Sequence, residues 1–215
     1  MNMTVDIIVH LIPLMLSFGA TLGIGLYSAR RRDVPGAISF TVFVFSMTSC
    51  TIGYILELLS PGLKGKIFWD NTQFIGMFVA PAAFLVFAAR FTGLGLLRSA
   101  RTAMFLTVVP AVSLALAFTD QFHGLVRSAA WIVLGTPFSE LGYTFSVAFK
   151  GMFLYVAAAF TSSVAILLKK LIRLSGPFNA RIAVVTAGIF IPMIGGSLIL
   201  IGFQFTFHRD ISPFY

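Results

Sequence analysis

Six stretches of this chain come close to, or exceed, the roughly 20 apolar residues that an α-helix needs to cross a bilayer core of about 30 Å. They run Ile7–Ser28, Ala37–Leu59, Phe74–Phe91, Thr102–Phe118, Ala148–Ile172 and Arg181–Phe207. In lipid every backbone polar group must be satisfied within the protein, so only helices and closed barrels span a membrane. A barrel would show short alternating segments, and none are seen. The reading is therefore an all-α integral membrane protein with six transmembrane helices. Composition agrees. Charged residues are 10% of the chain and hydrophobic residues 58%, with 24 Phe, where a soluble domain is about one-quarter charged. The leader MNMTVD has no Lys or Arg, so the first helix reads as a retained anchor and not a secretory signal.

The basic residues set an expected orientation. Arg30, Arg31 and Arg32 lie in the first loop, Arg90, Arg98 and Arg101 in the third, and Lys169, Lys170, Arg173 and Arg181 in the fifth. Lys64, Lys66, Arg127, Lys150 and Arg209 fall on the other side. The positive-inside rule puts the first group in the cytoplasm and the N-terminus outside. Asp6, Glu57, Asp70, Asp120, Glu140 and Asp210 then lie outside, and only Asp33 inside. The formal charge of +8 reads as attraction to anionic lipid heads, so the bilayer is the expected partner and nucleic acid is not.

Ionisable residues are almost absent near the middle of the spans, where transporters and proton relays place them. The hydroxyl runs Ser46 to Thr51 and Thr161 to Ser163 fit bonds to their own backbone or helix-helix contacts. Pro13, Pro81, Pro110 and Pro192 lie inside spans and are candidate kinks or hinges. Gly19 and Gly23 form GATLG, a close-packing pattern. Cys50 is the only cysteine, so no intrachain disulfide is possible. No HExxH, GxSxG or P-loop is present, and no catalytic role, cofactor or metal is assigned. Two loops lie on the outer side. Ser60–Asn71 is short, and Trp69 suits the headgroup level. The other, at about 119–147, contains AWIVLGTPF and SELGYTF, and fits a strand, a hairpin or a cap over the bundle. Loops of that length are often functional.

The stretch YILELLSPGLKGKIFWDNTQFIGMFVAPAAFLVFAARFTG, Tyr54 to Gly93, resembles the N-terminal seven-transmembrane sensor region of bacterial and archaeal histidine kinases. Glu57 ends helix two as in that family, and Trp69 precedes helix three. Pro81, Phe87, Phe91 and Thr92 follow in order. Pro110, the turn TDQFH ending at His123, Pro192 and Asp210-Ile-Ser-Pro213 complete the pattern. The resemblance covers nearly all of residues 1–215 and makes them one transmembrane sensor domain, the first six helices of a seven-helix bundle. It implies that HRDISPFY lies outside, just before a seventh helix that leads to signalling domains. No phosphoacceptor region, nucleotide-binding lid or dimerising coiled coil is found within the chain.

The expected function is the input module of a two-component kinase in the cytoplasmic membrane. It would detect an extracytoplasmic or membrane-borne ligand and relay it by helix repacking. The candidate ligand residues are Glu57, Trp69, Asp70, Asn71, Gln73, His123, Tyr143 and Asp210. Glu57 and Asp70 suit a cationic or hydroxyl group, and Trp69 and Tyr143 an apolar body. A homodimer is implied by the family. A small transporter or channel subunit, or a non-catalytic membrane partner, is the alternative.

Overall fold

A computed structural model describes residues 3–95, 99–135 and 137–173. The element order is α1 (Met3–Ala29), α2 (Ala37–Leu59), α3 (Leu63–Thr92), α4 (Ala100–Phe118), α5 (Asp120–His123), β1 (Arg127–Val133), β2 (Glu140–Phe145) and α6 (Val147–Arg173). Five of these helices, α1 to α4 and α6, are long and apolar enough to cross a membrane. The chain is a multi-pass, mostly helical membrane protein. The sixth expected span, Arg181–Phe207, lies outside the described residues, as do Pro192 and Asp210.

The helix ends follow local chemistry. Pro61 and Gly62 interrupt the chain after α2, and Gly62 takes an extended conformation ahead of α3. A left-handed Gly93 (φ 76°) stops α3, its N–H reaching back to the carbonyls of Ala89 and Arg90. That conformation favours glycine. One expectation needs correcting. The stretch Ser60–Asn71 is not a loop throughout, because α3 begins at Leu63, eleven residues before the apolar span starts at Phe74. Its 30 residues reach about 45 Å at 1.5 Å per residue, some 15 Å more than the hydrocarbon core. The first turns of α3, with Lys64, Lys66 and Asp70, therefore project past the apolar slab.

α3 is the axial helix. It packs against α2, α4 and α6, whereas α1 packs on α2. Glycines set the α2–α3 approach. A Cβ at Gly76 would overlap the Ser46 carbonyl and Cys50 Sγ, and one at Gly53 would sit 2.8 Å from Gln73 Cγ. Cys50 Sγ–H donates across this seam to the Gln73 carbonyl at 3.3 Å. Gly19 and Gly23 behave differently, since a Cβ there would meet nothing within 4 Å. The GATLG pattern closes no helix contact among the described residues.

Phenylalanine fills the core. Phe84 of α3 meets Phe43 of α2 at 5.0 Å and Phe160 of α6 at 6.1 Å between ring centroids. Phe87 meets Phe40 at 5.3 Å. The hydroxyl runs do what their backbone allows. Ser46, Thr48, Ser49 and Thr51 donate to carbonyls three or four residues back, and Ser163 donates to Ala159. The helices continue through Pro13, Pro81 and Pro110.

Residues 119–147 adopt the hairpin among the three forms open to them. β1 and β2 pair antiparallel, with Trp131 opposite Gly142 and Ala130 opposite Tyr143. Leu141, Tyr143 and Phe145 share one face by the two-residue period of a strand. Phe145 stacks on Phe149 of α6 at 3.6 Å, and Tyr143 meets Phe145 edge-on. Gly142 leaves room for the Trp131 indole, since a Cβ would lie 2.6 Å from its Nε1. Gly142→Val should displace that ring and cost about 1–3 kcal/mol. A red shift in Trp131 emission, with Trp69→Phe removing the other indole, checks it.

Candidate functional site

The hairpin closes one end of the bundle over a set of buried charges. They come from four elements. Glu57 sits in the last turn of α2, Lys66 and Asp70 lie in the first turns of α3, Asp120 opens α5, and Arg127 starts β1. All five are buried. Water no longer solvates them, so their partners must.

Arg127 is the centre of the larger half. Its Nη2 donates to Asp70 Oδ2 and to Asn71 Oδ1, the latter at 2.8 Å. Nη1 lies 3.7 Å from Asp120 Oδ2. The guanidinium sits 4.8 Å from the Phe74 ring centroid and 5.5 Å from that of Tyr143, which adds cation–π attraction. Asp70, Asn71 and Phe74 fall at i, i+1 and i+4, the spacing that lines one side of a helix turn. Arg127 Nε is buried and has no partner among the described residues.

Asp120 holds the base of the hairpin by its backbone. The N–H groups of Val126 and Arg127 donate to its two carboxylate oxygens at 2.7 and 2.9 Å. Gly124 makes the turn between them with φ 60°. His123 closes the same turn. The Leu125 N–H donates to its Nδ1 at 3.1 Å, and its Nε2 lies 3.0 Å from Thr119 Oγ1. Thr119 Oγ1 in turn donates to the Ala115 carbonyl at 2.6 Å. This pattern needs a lone pair on Nδ1 and the proton on Nε2.

Lys66 is the second clamp. Its side chain is fully buried. Nζ donates to the Glu57 carbonyl at 2.8 Å and to the Ser139 carbonyl, in the hairpin loop, at 2.6 Å. The Glu57 carboxylate, 3.9 Å from that ammonium, accepts the Leu141 N–H at 3.1 Å. One Lys thus ties the carbonyl end of α2, where the helix dipole favours a cation, to the tip side of the hairpin. Burial pushes the Tyr143 phenol well above its ordinary range, with Asp70 adding to the shift and Arg127 opposing it. It therefore faces the cluster as a neutral hydroxyl.

Of the residues singled out in the sequence, Glu57, Asp70, Asn71, His123 and Tyr143 come together at this end. Trp69 and Gln73 share α3 with Asp70 and Asn71, but the Trp69 carbonyl and the Gln73 side chain lie against Gly53 of α2. Gln73 Nε2 is buried without a partner among the described residues. Sequence reasoning passed over Lys66, Asp120 and Arg127, which counted there only as loop charges. The available signal was an Arg one residue after an apolar Leu-Val pair, entering a strand-like stretch. No group of His, Cys, Asp and Glu suited to a metal occurs among the described residues.

One family model, that of the N-terminal 7TM region of histidine kinases, matches residues 13–215. The chain belongs to that family. It is a histidine kinase 7TM region, the sensor part of such kinases and not their catalytic part. No curated protein and no solved structure matches it. Within this 7TM region the cluster holds all the buried Asp, Glu, Lys and Arg side chains among the described residues, and it is built where the hairpin meets α2, α3 and α5.

Proposed function

We propose that the chain detects an extracytoplasmic or membrane-borne ligand for a two-component histidine kinase of the cytoplasmic membrane. The N-terminus and the hairpin end face outward. The observation that carries the reading is the buried charge cluster under the hairpin. Burying ions is costly, and a buried pair is often worth less than an apolar replacement. Titratable groups held this way gather at functional sites. Among the described residues Glu57, Asp70 and Asp120 pair with Lys66 and Arg127, and Glu140 lies near Glu57 and Lys66 as well, so acid is in excess of Lys and Arg. That balance suits a ligand with a cationic or hydroxyl head, and Tyr143 and Phe74 offer rings to its apolar body. The ligand acts by binding one arrangement of the hairpin and helices better than the other.

The orientation draws on the opposite end of the bundle. Arg30, Arg31, Arg32, Arg90 and Arg101 are all exposed there, as expected for a cytoplasmic face. A homodimer in the bilayer belongs to the same reading, and chemical cross-linking in native membranes checks it.

The test uses the full-length kinase in proteoliposomes. Lys66→Met and Asp70→Asn should each change basal autophosphorylation several-fold, because each frees one clamp of the hairpin. Arg101→Ala, at the opposite end, should not. Output indifferent to both clamp substitutions would sink the reading. So would robust solute flux through the same proteoliposomes, which belongs to a transporter.

A further inference from the structure

We propose that the turn from Thr119 to Arg127 is a proton-operated hinge for the hairpin, with His123 as the group that takes the proton. The inference rests on the reading of the hairpin as the moving part of the sensor. Its basis is the hydrogen-bond pattern around one ring. Nδ1 of His123 accepts the Leu125 N–H at 3.1 Å, and the ring keeps about a quarter of its side-chain surface exposed, at 26%. Water therefore reaches the ring whose Nδ1 lone pair holds the backbone.

Protonation removes that lone pair. An imidazolium donates from both nitrogens and accepts at neither. Nδ1–H and the Leu125 N–H would then be two donors face to face, so the peptide must move. Nε2–H keeps its partner, Thr119 Oγ1. The new Nδ1–H has a waiting acceptor, Asp120 Oδ1, 3.6 Å away. That oxygen already accepts the Val126 N–H, and its twin accepts the Arg127 N–H. A carboxylate drawn toward the imidazolium drags or releases the first residues of the hairpin. Arg127 is carried on that backbone, so its place between Asp70, Asn71 and the two rings shifts with it.

The charged groups around His123 are consistent with this outcome. Asp120 shares its turn, Arg127 approaches from β1, and Asp70 lies beyond the guanidinium on α3. α4 contributes the Thr119 hydroxyl. The second clamp, Lys66 with Glu57 and Ser139, holds the far end of the hairpin and touches none of these atoms. Acid would then loosen the base of the hairpin while its loop stays tied.

The experiment measures hairpin position directly. Spin labels are placed at Leu59→Cys, at the end of α2, and at Ala129→Cys, at the base of the hairpin, both exposed, in the full-length kinase in lipid nanodiscs with Cys50→Ser. Distances are read at about pH 8 and about pH 5. A second distance population should grow on acidification. His123→Asn places an amide oxygen where Nδ1 stands and cannot be protonated, so it should keep the alkaline distribution at both pH values. His123→Gln serves if the Asn variant does not fold. A distribution that ignores pH overturns the hinge. So does an equal shift in the His123 variants, which would move the proton to another group. Neither result touches the sensor reading, which stands or falls on kinase output in the clamp variants.

Discussion

Arg127→Met is expected to destabilise the protein by about 3–5 kcal/mol, the usual cost of removing one partner of a buried ion pair. The guanidinium is the only Arg or Lys group within reach of Asp70 and Asp120 among the described contacts. Without it two carboxylates are left buried, and Asn71 loses its donor as well. The apolar volume of Met replaces the stem of Arg and its contact with Phe74, so the loss isolates the charge. Arg127→Lys should fall between wild type and Met. An ammonium keeps the charge but lacks the planar guanidinium that lies near the Phe74 and Tyr143 rings while its Nη2 donates to Asp70 and Asn71. Asp70→Asn in the Met background should recover part of the loss, since a neutral amide costs less to bury. Chemical unfolding in detergent checks the series. Full stability in Arg127→Met would mean that the cluster does not hold the hairpin.

Gly76→Ala should cost about 1–3 kcal/mol, the range for forcing one methyl into a packed interface. The added Cβ would overlap the Ser46 carbonyl and Cys50 Sγ. The sulfur can rotate away, but the carbonyl belongs to the backbone of α2. The two helices must separate, which breaks the Cys50 to Gln73 bond and opens the seam at Gly53. Gly23→Ala is the internal control. Nothing lies within 4 Å of the position where its Cβ would stand, and alanine favours the helix by up to about 1 kcal/mol. Thermal unfolding of the two variants should therefore differ in sign. Equal behaviour would show that α2 and α3 do not approach as closely as their glycines allow.

Hydropathy made most of the helices legible. The ends of α2 fall at Ala37 and Leu59 in both readings, and α4 and α6 agree to within two residues. It failed at the start of α3 for a physical reason. Lys64, Lys66 and Asp70 make that stretch look like a loop, yet a helix can carry them when it extends beyond the apolar slab. The hairpin was legible only as one of several forms. Alternation in SELGYTF marks a strand, but its pairing with AWIV depends on tertiary contact.

The site was half legible. Glu57, Asp70, Asn71, His123 and Tyr143 emerged from the family resemblance and from residue type. Their assembly did not, because it runs through contacts between residues 57 and 73 positions apart, Asp70 with Arg127 and Lys66 with Ser139. Nothing local in the sequence tells a buried arginine from one in a solvated loop. The charge count was informative nonetheless. A chain with 10% charged residues that places acids and bases together at one end has a reason to bury them there.

In the proposed orientation the hairpin lies outside the cell. The most direct measurement is labelling of Leu134→Cys, in the exposed loop between the strands, on intact cells carrying the full-length protein with Cys50→Ser. A membrane-impermeant maleimide should label it without permeabilisation. Labelling that appears only once the membrane is opened would put the hairpin and its charge cluster on the cytoplasmic side. The proposed detection of an outside signal by this site would then be wrong.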